Sequence, residues 1–71
     1  MPLSRSHPVG SYLVTPLTKL TAAGLYAASV SIRRGAFDRV FRLERAFATE
    51  TRALRYALLQ GRRFVTRQQL A

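Results

Sequence analysis

Eleven arginines and one lysine stand against three acids in this chain of 71 residues, a formal net charge of +9. That imbalance is the chemistry most visible in the sequence. A planar guanidinium donates two parallel hydrogen bonds to a phosphate or carboxylate, so an arginine excess suits polyanions: nucleic acid, an anionic membrane or an acidic protein. Codon bias accounts equally well for arginine over lysine. It does not account for the scarcity of acids.

Catalytic arrangements are hard to assemble from what remains. Asp38 and Glu44 share strand parity but lie about 20 Å apart along an extended chain at ~3.3 Å per residue, too far for paired acid/base work. Glu50 falls elsewhere, at a helix start. Ser29 and Ser31 have no neighbouring base, and no nucleophile elbow, phosphate loop or dinucleotide fingerprint occurs. His7 is the only histidine and there is no cysteine, so neither a zinc site nor a thiolate nucleophile can be composed. These observations predict a non-enzyme with no cofactor and no metal.

A chain this short forms at most one domain and buries only about 60% of its unfolded surface, so self-association is a natural source of added stability. Its hydrophobic fraction of 48% is too high for wholesale disorder. Between Lys19 and Arg33 the apolar run is interrupted by Thr21, Gly24, Ser29 and Ser31, which predicts no membrane span. Pro2, Pro8 and Pro16 break any amphipathic leader helix. With no cysteine to oxidise, a cytoplasmic location is the expectation.

Proline and glycine punctuate residues 1–10, which read as a flexible lead-in; 11–67 form the domain and 68–71 a frayed tail. From Ser11 to Leu20 the composition is apolar and β-branched, predicting a strand whose Pro16 belongs at a sheet edge. A turn follows at 21–24. From Leu25 to Arg34 the alternation is strict, with Tyr26, Ala28, Val30 and Ile32 on one face. Gly35-Ala36 suits a two-residue II′ turn, which sets Val30 against Phe41, Ala28 against Leu43 and Arg33 against Asp38 in a strand from about Asp38 to Arg45. Arg39 and Arg45 share the inward parity, and are expected to lay their stems along the core rim.

Thr49 is positioned as an N-cap with Glu50 in the first helical turn. Leu54, Ala57, Leu58, Gly61, Phe64 and Val65 then recur at spacings of three and four, with Arg52, Tyr56, Leu59, Arg63 and Arg67 opposite. Gly61 lowers helix propensity by about 1 kcal/mol, a cost that fits close backbone approach to the sheet or, alternatively, an end of the helix there. The expected fold class is therefore α+β: a three-stranded antiparallel meander followed by one C-terminal helix packed on one face. Leu13, Leu17, Ala28, Val30, Ile32, Phe41 and Leu43 would line the covered side.

Two basic surfaces follow. The open sheet face would present Tyr12, Val14, Pro16, Arg33 and Arg42, a weak stacking platform because Tyr12 is its one aromatic. Outside the helix lie Arg52, Arg55, Arg62, Arg63 and Arg67; a charge run is ordinarily a solvated face, but these arginines lack acidic partners four residues away. The sequence thus points to a small nucleic-acid-binding protein that contacts DNA or RNA phosphates through Arg33, Arg42, Arg52, Arg55, Arg62 and Arg63, with Tyr12 for stacking. The alternative is a structural or adaptor protein that docks on an acidic partner and is homodimeric through a sheet edge or the open sheet face.

In architecture this order resembles the sheet and last helix of double-stranded RNA-binding domains and small HicB-type antitoxin domains. Neither family's motifs are present: the lysine-rich helix start of the former is replaced by Glu50-Thr51-Arg52-Ala53. No site residue is carried over.

Overall fold

The computed structural model describes residues 5–67. Four strands, β1 (His7–Val9), β2 (Tyr12–Leu20), β3 (Tyr26–Arg34) and β4 (Phe37–Phe47), precede a single helix, α1 (Glu50–Thr66). They form one antiparallel sheet in the order β1-β2-β3-β4. The sheet has one strand more than expected, because part of the predicted lead-in pairs as His7 against Val14, Pro8 against Leu13 and Val9 against Tyr12. Gly10, at φ +60°, turns the chain between them, a conformation open to glycine without steric cost. Ser6 and Thr15 hydroxyls meet at 2.8 Å and extend the contact. Residues 1–4, and the tail expected to fray at 68–71, lie outside the described residues.

The central hairpin follows its sequence pattern. Arg34 faces Phe37 across Gly35-Ala36, and Val30 faces Phe41 and Arg33 faces Asp38. Gly35 has φ +56° and Ala36 is not in the positive-φ region, as the first central position of a II′ turn requires. Farther along, the register changes: Ser29 pairs with Arg42 but Ala27 with Ala46, so Ala28 alone faces Leu43, Glu44 and Arg45. Glu44 takes a left-handed φ of +54° in this bulge. The one-to-one pairing expected of Ala28 with Leu43 is thereby corrected. Because two residues are inserted, side-chain parity survives, and Phe47 still shares the face of Tyr26.

β2 is turned over relative to expectation. Val14 pairs with Ile32, Pro16 with Val30 and Thr18 with Ala28, so the even-numbered residues face the helix and Leu13 and Leu17 face away. Val14 and Pro16 are fully buried, whereas Leu13 is 43% exposed. Alternation could not decide this, since β2 is apolar on both faces. The helix decides it: a Cβ added at Gly61 would fall 2.5 Å from Val14 Cγ1 and 2.7 Å from Val30 Cγ2, leaving no room for a leucine. Pro16 is compatible with its place because β1 stops opposite Val14, so no strand on that side of β2 needs its missing N–H.

Ala53, Ala57 and Gly61, each four residues apart, form the ridge of α1 that meets the sheet, and both alanines are fully buried. Ala53 extends the stripe read from the sequence by one residue. Tyr56, expected on the outer side, is half-buried and packs on Phe47 at 5.2 Å between ring centroids, while Phe41 and Phe64 meet at 5.3 Å. The Thr49 side chain accepts a hydrogen bond from the Arg52 backbone N–H at 3.2 Å, the expected N-cap. Thr18 donates to Glu50 Oε2 at 3.3 Å and ties the helix start to β2.

Two stability measurements check this packing. Gly61→Ala gains helix propensity but drives a methyl into two stiff β-branched side chains, and denaturant unfolding should show a net loss of about 1–3 kcal/mol; a stabilised variant would refute the close approach. Tyr12→Ala should cost about 1–2 kcal/mol, whereas Leu13→Ala stays within about 0.5 kcal/mol. The reverse order would restore the opposite facing of β2.

Candidate nucleic-acid interface

At 100° per residue, the buried ridge of α1 leaves an outward stripe made of Arg52, Arg55, Leu59, Arg62, Arg63 and Thr66, all of them exposed. Arg52 and Arg55 lie about two turns and one turn before Leu59, and Arg62 and Arg63 about one turn after it. Arg52 and Arg63 are eleven residues apart, about 16 Å along the helix axis. Leu59, 52% exposed, gives the stripe an apolar centre.

The acid on this helix cannot neutralise the stripe. Glu50 lies on the sheet side, where it accepts from Thr18. Its position in the first turn complements the helix dipole instead.

Arg45 adds to the helix side of the molecule. Its guanidinium sits 5.4 Å from the centroid of Phe47 and 5.2 Å from that of Tyr56, so its stem follows the core rim and its charge is held over two aromatic faces. The sequence offers a signal for this contact in the shared parity of Arg45 and Phe47, but not for Tyr56, which helical periodicity places on the outer side and Phe47 draws inward. Arg34 is held in the same way 5.5 Å over Tyr12.

The sequence-predicted site residues do not form one surface. Arg52, Arg55, Arg62 and Arg63 come together on the helix. Arg33 and Arg42 are exposed on the opposite, open face of the sheet. Tyr12 shares neither place: it faces the helix side, half-buried against the core and covered by Arg34. The open face, read from the register as Leu13, Thr15, Leu17 and Lys19 of β2, Ala27, Ser29, Ser31 and Arg33 of β3, and Asp38, Val40 and Arg42 of β4, therefore has no aromatic among the described residues. The stacking platform expected there is corrected.

Electrostatically the two faces differ. On the sheet, Asp38 stands opposite Arg33 and accepts from the Ser31 hydroxyl at 3.5 Å. Glu44 lines, with Lys19, Arg42 and the small residues Ala27, Ala28 and Ser29, a shallow depression of about 390 Å³. Each arginine of the open face thus has an acid nearby. On α1 the one acid is Glu50, turned toward β2 and away from the outward arginines.

No group of histidine, cysteine and carboxylate side chains among the described residues could hold a metal ion, and no described helix is long and apolar enough to cross a membrane. No protein-family model matches the chain, and no curated protein or solved structure is significantly similar to it.

Proposed function

We propose that this protein binds nucleic acid non-catalytically, with the outer face of α1 laid along the phosphate backbone and Arg52, Arg55, Arg62 and Arg63 as the contacting residues. The observation that carries this reading is the segregation of charge. Asp38 and Glu44 accompany the arginines of the sheet face, while four arginines and no acid occupy an exposed stripe about 16 Å long on the helix. Unpaired like charges repel one another, and a polyanion relieves that repulsion while releasing its own counterions. Duplex DNA carries about one negative charge per 1.7 Å of axis, so a stripe of this length meets several phosphates at once.

Arg45 extends the same side of the molecule, its side chain ordered by Phe47 and Tyr56 so that less freedom is lost on contact. Backbone contacts of this kind position a protein without reading bases, so low sequence specificity is expected. Arg33 and Arg42, separated from the stripe by the thickness of the sheet, play the smaller part.

The test is titration of DNA and RNA oligonucleotides at several salt concentrations. Affinity should fall steeply with salt, and Arg52→Gln, Arg55→Gln and Arg63→Gln combined should flatten the slope of log K against log salt by about 2–3, at ~0.9 per phosphate lost. Circular dichroism should show the fold retained. Absence of binding at low salt would sink the proposal, and an unchanged slope would remove the helix from it. Arg33→Gln with Arg42→Gln should alter the slope less than the helix triple variant.

A further inference from the structure

The sheet has two edges of very different character. β1 is three residues long, while β4 is eleven and carries no buried residue. Phe37, Phe41, Leu43 and Phe47 are only half-buried there, and Val40 is 60% exposed. The helix lies chiefly over β2 and β3 and reaches β4 much less. β4 thus leaves apolar surface uncovered on both faces beside an open backbone edge.

Which backbone groups point outward follows from the turn. Arg34 and Phe37 close it, so their pair is hydrogen-bonded inside the hairpin, and bonded and non-bonded pairs alternate from there. Asp38, Val40 and Arg42 fall on the non-bonded pairs. Their N–H and C=O groups therefore aim at the open edge. Regular strand runs from Phe37, after the turn, to Leu43, before the left-handed Glu44. The midpoint of that segment is Val40.

We propose that this edge pairs antiparallel with the same edge of a second copy, Val40 opposite its own symmetry mate. On the open face this register sets Asp38 of each copy against Arg42 of the other, with the two valines between them. On the helix side Phe37 meets Leu43, and Arg39 lies against Phe41. Other registers lose the match. Centring on Phe41 opposes Asp38 to Glu44, centring on Arg42 opposes that arginine to itself, and centring on Arg39 leaves Asp38 facing Val40. Charges on an edge strand ordinarily block pairing; here they are self-complementary, as a twofold contact requires.

The pairing makes a continuous eight-stranded sheet and sets both helices on one side of it, doubling the basic surface. It does not rest on the nucleic-acid reading, and holds for protein freed of nucleic acid by nuclease.

Sedimentation velocity of nuclease-treated protein, from micromolar to submillimolar concentration, should show a species of twice the 8.0 kDa chain mass. Asp38→Arg and Arg42→Asp should each weaken association about tenfold or more, since each replaces two attractive pairs by two repulsive ones. Mixing the two single variants restores opposite charges at both contacts, and a heterodimer should form at close to wild-type affinity, a rescue that changes in the stability of one chain cannot mimic. Val40→Pro removes an outward N–H without touching the β3 ladder and should give a folded monomer by circular dichroism and sedimentation. A wild-type chain that stays monomeric overturns the proposal, as does a dimer that persists in Val40→Pro or that gains nothing from mixing the charge variants.

Discussion

The contact between the Ala53, Ala57 and Gly61 ridge of the helix and Val14, Val30 and Ile32 of the sheet sets the spacing of the whole molecule. At Gly61 there is no space for even a methyl group, so the two layers are as close as side-chain volume permits. In so small a domain this matters, because the largest fully buried side chains are only isoleucine, valine and proline. Close approach lets short side chains fill the interior at native density. It also selects which face of β2 turns inward, since compact Val14 and Pro16 fit under the ridge and leucine does not.

Charge is distributed by the same arrangement. Once the small residues of α1 face the sheet, the outward side of the helix is bound to carry Arg52, Arg55, Arg62 and Arg63, and Glu50 is drawn to Thr18 on the inner side. The remaining acids, Asp38 and Glu44, fall on or beside the open sheet face. A chain with twelve basic and three acidic residues therefore displays one surface where acids accompany the arginines and one uniformly basic surface. The functional reading rests on this separation more than on the net charge.

The helix is too narrow to cover four strands, and β4 bears the consequence. Its aromatic residues find partial cover from Phe64 and Tyr56, and its outer edge stays open. Marginal burial on folding and an uncovered edge are two expressions of one limit on small domains: too little chain to enclose its own apolar surface.

What the sequence determined by itself is everything governed by local chemistry. The Gly35-Ala36 turn, the alternation of β3, the register of Arg33 with Asp38 and the Thr49 cap follow from neighbours within a few residues. Tertiary structure alone decided the rest. His7–Val9 is too short to show a period and becomes a strand only because β2 offers an edge. β2, apolar on both faces, received its orientation from the helix, and Tyr12 went with it from the open face to the core side. Tyr56 was drawn inward by Phe47, and the site residues were divided between two surfaces by the sheet between them. In each case the deciding partner lies far along the chain, where periodicity has no reach.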